Sequence, residues 1–256
     1  VTMDNPQAEN RVLVVIPARF GSTRFPGKAL ADLGGSPLIV RVMEMAQGIE
    51  LADEVVAATD DIRIQEAVRA AGFACEMTAD HPTGTDRIGE VADRHAAGII
   101  LNLQGDEPLL DPGEVDRLIR TLQADPGIDL ATCAHPFADE ASWKDPNQVK
   151  VIRDARGQAL YFSRAPIPGT FPGRESAAFR GALRHVGIYA FRRRALQQFL
   201  QMDRTPLEMT EGLEQLRALE NGMRIQVLEI VAAPVGVDTP SDLEKVRKLW
   251  RQQTGS

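Results

Sequence analysis

Val12-Leu13-Val14-Val15-Ile16 runs straight into Pro17-Ala18-Arg19-Phe20-Gly21-Ser22-Thr23-Arg24-Phe25-Pro26-Gly27-Lys28. The first five residues, apolar and rich in Val, read as a buried strand. Pro17, Gly21, Pro26 and Gly27 then rule out regular structure. Arg19, Arg24 and Lys28 put three cations in that loop, at spacings of five and four. A strand feeding a glycine-containing cationic loop is how α/β proteins hold phosphate: glycine lets backbone N–H groups come close, and the cations neutralise charge. The loop is neither of two familiar phosphate loops. Five residues separate Gly21 from Gly27, and Ala29 follows Lys28, where a P-loop needs four residues and a metal-binding hydroxyl. The dinucleotide pattern G-x-G-x-x-G is absent. A solvated basic loop is the bland alternative.

Outward from this stretch, strands and helices alternate. Pro37 opens a helical pattern to about Gln47, and Glu54 to Thr59 is a strand. Asp60 and Asp61 offer an N-cap to a helix ending at Gly72. Phe73 to Met77 is a short strand, and Thr83-Gly84-Thr85-Asp86-Arg87 turns into a helix reaching about His95. Ile99 to Leu103 is a buried strand that stops at Gln104-Gly105-Asp106-Glu107-Pro108. A helix from Pro112 and a strand from Ile128 to Ala134 follow. This alternation predicts an α/β fold: a mostly parallel sheet flanked by helices, with ligands beyond the carboxyl ends of the strands. The loops after Ile16 and Leu103 and the turn at Thr83 are therefore expected to meet.

The alternation breaks near Pro136. Val149–Ile152 and Ala159–Phe162 flank Asp154-Ala155-Arg156-Gly157 and read as a β-hairpin. The chain is thus expected to be one domain over 1–256, with an inserted β-containing lobe at about 136–184. A strand from His185 to Phe191, a helix from Arg192 to Met202, one helix from Leu207 to Glu220 and a strand from Ile225 to Val231 come next. Val235-Gly236-Val237 reads as a strand before Asp238, and Thr239 caps a last helix.

Composition narrows the function. Of 256 residues, 43% are hydrophobic and 25% charged, and the net charge of −7 disfavours a nucleic-acid partner. The two cysteines, Cys75 and Cys133, form no paired motif, which suits a reducing cytoplasm. No apolar stretch is long enough for a membrane span, and the first ten residues read as a polar leader. Asp106 at a strand's end is placed to hold Mg²⁺, which favours hard oxygen ligands; a turn-capping role competes. Asp238 offers a second carboxylate, although Asp also belongs naturally before a helix. Two carboxylates and a basic loop together describe a metal–triphosphate site. His185 and Tyr189, at even spacing, share a strand face, where a satisfied core histidine is the alternative. Glu208, Glu211 and Gln215, with Glu214 beside them, fall on one helical face that solvation alone could explain. Arg164 could grip a carboxylate.

These segments, in order, resemble the 3-deoxy-manno-octulosonate (Kdo) cytidylyltransferases, also called CMP-Kdo synthetases. The match rests on I-P-A-R-F-G-S-T-R-F-P-G-K at 16–28, T-G-T-D-R at 83–87, N-L-Q-G-D-E-P at 102–108 and Y-F-S-R-A-P-I-P at 161–168. It continues with R-H-V-G-I-Y at 184–189, P-L-E-M-T-E-G-L-E-Q-L-R at 206–217 and G-V-D-T-P-S-D-L at 236–243. The resemblance implies a nucleotide-diphospho-sugar-transferase-like, Rossmann-like fold and a reaction of CTP with Kdo, dependent on Mg²⁺. It implies that Arg19 and Lys28 bind the triphosphate beside Arg24, and that Ala18, Thr83, Gly84, Thr85, Gln104 and Asp106 hold the nucleotide. Asp106 and Asp238 would be the metal ligands. Arg24, Gln104, Arg164, His185, Tyr189, Glu214 and Gln215 would bind the sugar acid. A cytoplasmic homodimer is expected, with Val149, Val151, Leu160 and Phe162 of the hairpin as its surface.

Met209, Thr210 and Gly212 stand where bulkier residues are expected, which leaves amino-Kdo or a sialate as alternative sugars. A nucleotide sensor is the rival from another class, and the two carboxylates speak against it. A nicotinamide oxidoreductase is disfavoured by the missing glycine fingerprint.

Overall fold

The structure is a computed structural model that describes residues 9–22, 24–172, 179–231 and 234–254. Most of the leader (1–8), Thr23 and residues 173–178 of the expected inserted lobe lie outside the described residues. The chain divides into two compact units, Val1–Ile119 with Pro234–Ser256, and Arg120–Ala233.

The first unit holds β1 (Val12–Ala18), the two-residue strands β2 (Asp32–Leu33) and β3 (Ser36–Pro37), β4 (Glu54–Thr59), β5 (Cys75–Met77) and β6 (Ile99–Asn102). β1 pairs in parallel with β4 on one side and β6 on the other, and β5 adds in parallel to β4. Leu13 to Ile16 are wholly buried. This is why the strand is apolar without alternation: a parallel strand covered on both faces has no polar side. β2 and β3 form a small antiparallel ribbon that the sequence did not announce.

Local chemistry fixes the helix starts. Asp61 accepts from Arg63 N at 2.9 Å to cap Ile62–Ala70, and Thr83 accepts from Asp86 N at 3.1 Å to cap Gly84–Ala92. Thr239 and Asp242 cap Pro240–Thr254 reciprocally, Thr239 N to Asp242 Oδ2 at 3.0 Å and Asp242 N to Thr239 Oγ1 at 3.3 Å. That helix packs Leu243 and Val246 against Leu33, Leu38 and Val237. Val235–Val237 is not a strand. Its apolar residues serve this packing, and Val237 N donates to Asp106 O at 2.9 Å rather than to a strand partner.

His95 ties the far edge of the unit together, with Nδ1 2.7 Å from Glu54 and Nε2 2.6 Å from Glu76. Burial pulls the imidazole pKa down, but the two carboxylates outweigh it and raise the pKa above 6.5. A His with a raised folded-state pKa stabilises fully below its unfolded value and loses that contribution as pH rises through the folded value. We expect stability to fall above about pH 6.5, the usual imidazole value, and His95→Gln to flatten that fall. Chemical denaturation of both proteins from pH 6 to 9 checks it; equal slopes would refute it.

The second unit holds β7 (Leu130–Pro136), β8 (Lys150–Arg153), β9 (Ala159–Ser163), β10 (Leu183–Arg192) and β11 (Ile225–Glu229). β7 pairs in parallel with β11 and antiparallel with β10. β8 and β9 form the expected antiparallel hairpin, and β8 also pairs with β10. Asp154 Oδ1 closes the hairpin turn, accepting from Arg156 N and Gln158 N at 2.8 Å each. Val151 and Phe162 are wholly buried in this unit, whereas Leu160 faces outward. A short helix, Glu140–Lys144, sits in the stretch where the sequence showed only a break.

The helix expected from Leu207 to Glu220 is two helices, Pro206–Glu211 and Gln215–Glu220. Gly212, with φ of +61°, ends the first in the left-handed conformation that glycine adopts most readily. The supposed common face of Glu208, Glu211 and Gln215 is therefore lost. Glu208 instead forms a buried two-pronged pair with Arg217, at 2.8 and 2.6 Å.

Candidate active site

In the first unit, the carboxyl ends of β1 and β6 and the N-terminus of helix Gly84–Ala92 line a cleft of about 300 Å³. Ala18, Arg19, Arg24, Lys28, Thr83, Gly84, Gln104, Asp106 and Asp238 all contribute to its wall. The expected meeting of three loops is what the structure has. Thr85, one residue past Gly84, is wholly buried and is not part of the wall.

The cationic loop is folded back on itself. Phe20 O accepts from Ser22 N and Gly27 N at 2.9 Å each. Gly27 has φ of +72°, and a Cβ there would sit 3.2 Å from the Phe20 ring. Arg63 lies over that ring, 3.4 Å from its centroid. The turn delivers Lys28 to the cleft at the start of the 3-10 turn Lys28–Leu30. The loop after β6 approaches β1 just as closely: a Cβ on Gly105 would come within 2.9 Å of Pro17 O. Glycine at 105 thus lets Asp106 reach the strand end.

Lys28 Nζ lies 2.5 Å from Asp106 Oδ2 and 3.5 Å from Asp238 Oδ1, and Arg24 reaches Asp238 Oδ1 at 3.1 Å. Lys28 and Asp106 are largely shielded, with side chains 18% and 23% exposed, whereas Arg19 is exposed. One ammonium thus bridges two carboxylates from segments 132 residues apart (238 − 106). The same two carboxylates fit a single hard divalent cation, because an atom already touches both and oxygen donors are what Mg²⁺ selects. Among the described residues no group of three or more His, Cys, Asp or Glu could hold a metal, so any ion here would take its other ligands from water or phosphate.

Two further residues of the cleft escaped the sequence reading. Arg87 lines it with its side chain almost wholly buried, held 3.3 Å from Asp60 and by Thr78 Oγ1. His81 lines it too, paired with Glu90 at 2.5 Å. Arg87 stood inside T-G-T-D-R, which was read as a turn into a helix with only Thr83, Gly84 and Thr85 given a binding role.

The second unit carries the other five expected residues. His185 and Tyr189 are neighbours, with ring centroids 5.5 Å apart. Burial lowers the His185 pKa to about 3. Burial, then the charge of Glu214, raises the Tyr189 hydroxyl well above its usual value. Both are neutral hydrogen-bonding groups at neutral pH. Gln215 is buried. Arg164 is oriented by backbone acceptors: its Nε donates to Glu211 O at 2.7 Å. Glu211 in turn accepts from Ser163 Oγ at 2.6 Å and Arg164 N at 2.8 Å. Lys150, wholly buried, donates to Asp145 O and Arg164 O at 2.7 Å each, and burial lowers its pKa. Neither Lys150 nor Glu211 could be assigned this bracing role from spacing, since Lys150 bonds backbone carbonyls and Glu211 takes a hydroxyl and an amide 47–48 residues away.

The cytidylyltransferase family model matches residues 13–225. The chain is 48% identical over 243 residues to the 3-deoxy-manno-octulosonate cytidylyltransferase of Geobacter sulfurreducens, covering 92% of this chain and 97% of that one. It is 49% identical over 252 residues to the same-named protein of Geobacter metallireducens, covering 95% and 99%. A solved structure of CMP:2-keto-3-deoxy-manno-octonic acid synthetase complexed with CTP superposes with a TM-score of 0.90 at 44% identity, covering 95% of this chain and 99% of that one. A fold and cleft reached from the residues upward, and relatives this similar over nearly the whole length, agree: the chain belongs to the 3-deoxy-manno-octulosonate cytidylyltransferase family.

Proposed function

We propose that this protein transfers the cytidylyl group of CTP to Kdo, giving CMP-Kdo and pyrophosphate for lipopolysaccharide biosynthesis. The observation that carries the reading is the shielded Lys28 ammonium between Asp106 and Asp238 at the end of β1. The anomeric hydroxyl oxygen of the sugar attacks the α-phosphorus and forms the new P–O bond. The α–β P–O bond breaks, pyrophosphate departs with that electron pair, and the hydroxyl proton passes to solvent. Such a transfer needs positioning and charge neutralisation rather than a protein nucleophile.

Arg19 and Lys28 neutralise the triphosphate, with Arg24 beside them. The helix that starts at Gly84 presents its N-terminal N–H groups to the cleft, a favourable place for anionic oxygen. Gln104, Arg164, His185, Tyr189, Glu214 and Gln215 bind the sugar acid, Arg164 through its carboxylate. Asp106 and Asp238 would hold Mg²⁺, which would supply charge neutralisation at phosphate oxygens. Lys28 would then exchange its carboxylate contacts for phosphate ones. The reading extends to a cytoplasmic homodimer, supported by outward-facing Leu160 on the hairpin; no helix among the described residues is long and apolar enough to cross a membrane.

The test is pyrophosphate release from CTP and Mg²⁺, with Kdo and a sialate offered separately. Release with Kdo alone is expected. Release only with another keto sugar acid would move the substrate, and CTP binding without release would sink the enzymatic reading.

A further inference from the structure

β10 does not pair evenly with β7. His185 faces Ala134 and Val186 faces Cys133, yet Tyr189 faces Thr132, so the register against β7 shifts by two residues across Gly187 and Ile188. Without this bulge, His185 and Tyr189 would stand four residues, about 13 Å, apart along a strand. With it they are two ladder steps apart, and their rings approach to 5.5 Å. The even spacing in the sequence survives because the bulge removes an even number of residues.

Thr132 sits at the centre of this irregularity. Its wholly buried hydroxyl lies 2.7 Å from Ile188 O, 3.1 Å from Val186 O and 2.9 Å from His185 Nε2. A hydroxyl has one proton and two lone pairs. Carbonyl oxygens only accept, so the proton must go to them, or two oxygen pairs would face each other unbridged. The lone pairs are then all that Thr132 offers His185, and Nε2 must be the nitrogen that carries hydrogen. In a neutral imidazole the hydrogen bond at one nitrogen sets the state of the other.

We propose that Thr132 is a positioning residue for the reaction: its hydroxyl closes the bulge of β10 and fixes His185 as the Nε2–H tautomer, leaving Nδ1 as a lone-pair acceptor for a hydroxyl of the sugar acid. The depressed pKa of His185 is consistent, since a neutral ring is needed for either tautomer. Phe162, edge-on to the ring at 5.1 Å, and Tyr189 confine its plane. That a sugar hydroxyl is what Nδ1 receives rests on the function proposed above; the tautomer and its cause do not.

Thr132→Val keeps the shape and removes the hydroxyl, and Thr132→Ser restores it. With only four histidines in the chain, the ring nitrogens of His185 can be followed by long-range nitrogen–proton correlation in the ligand-free protein at neutral pH. His185 should be purely Nε2–H in the parent and in Thr132→Ser, and a tautomer mixture in Thr132→Val. The KM for the sugar acid should rise about tenfold in Thr132→Val, as expected when a buried polar group loses its partner, while the KM for CTP stays within twofold. Thr132→Ser should keep both near the parent values. An Nδ1–H ring in the parent overturns the proposal, and so does Thr132→Val with unchanged tautomer and sugar KM. Should Thr132→Val fail to fold, the parent and Thr132→Ser spectra still decide. Should the parent turn over no sugar acid, the functional reading fails while the spectra judge the tautomer.

Discussion

Lys28→Met is expected to lower kcat for pyrophosphate release by about 10²–10³-fold, the usual loss when one preorganised donor to a developing negative charge is removed. Two features make Lys28 stand out among the cations whose partners can be traced in the cleft. Its ammonium is shielded, so its field is less screened than that of Arg24, whose side chain is 65% exposed. It also touches both carboxylates, so its loss leaves Asp106 without that ammonium and Asp238 with the Arg24 pair. Ground-state affinity should suffer less than turnover. Arg19, Arg24 and the helix N-terminus at Gly84 still line the cleft, and we expect CTP binding measured by calorimetry to weaken less than tenfold, within the range of one charge-assisted hydrogen bond. A kcat within tenfold of the parent would show that Lys28 is only a counter-ion to the two acids.

Arg217→Met should cost about 3–5 kcal/mol of stability, the price of breaking a buried ion pair on one side only. Arg217 holds Glu208 through two hydrogen bonds, and the two side chains are 8% exposed each. The guanidinium also stacks on Phe199, 4.5 Å from the ring centroid, so packing is lost along with charge. Burial pushes the Glu208 pKa up, and Arg217 more than reverses that, holding it below the usual value. With Arg217 gone, only the Thr205 N–H and the charge of Arg204 still oppose burial, and the folded-state pKa of Glu208 rises. The deficit is then largest at neutral pH and shrinks as pH falls toward the unfolded value near 4.5. Adding Glu208→Leu should recover much of the loss, because an apolar pair of similar volume often matches a buried salt bridge. Urea melts at pH 7 and pH 5 of the single and double variants measure all three statements. A single variant losing under 1 kcal/mol at pH 7 would contradict the account.

What the sequence disclosed follows from the range of the forces involved. The buried β1, its cationic loop, the helix caps at Asp61 and Thr239, the turn into a helix at Thr83, and the placement of Asp106 are local patterns, each decided within a few residues. Asp238 was found for a partly mistaken reason: Val235–Val237 packs on the last helix and is not a strand. Apolar character reports burial, and burial has more than one architecture. Long-range pairings stayed hidden. Nothing near Lys150 marks it as a buried cation bonded to two carbonyls, and Glu208 resembled a solvated acid until Gly212 broke the helix and brought Arg217 beside it. The bulge at Gly187 and Ile188 left no mark either, because an even count of inserted residues preserves the alternation that a strand reading relies on.

The order in which residues appear along the chain has a consequence for how the protein is made. Asp106 and Asp238 serve one cleft, yet all of Arg120–Ala233 is synthesised between them. The segment that brings Asp238 also supplies Val237, Leu243 and Val246 to cover Leu33 and Leu38, and Val237 N to bond Asp106 O. A nascent chain on the ribosome therefore exposes part of this core, with Lys28 lacking its second carboxylate, until translation has passed residue 246. At about 5–20 residues per second, that interval lasts several seconds or more, and during it the other unit can fold while the first waits for its closing segment. Catalytic competence and completion of the first unit's core arrive together, so a chain interrupted before Asp238 is both inactive and exposed to quality-control proteases.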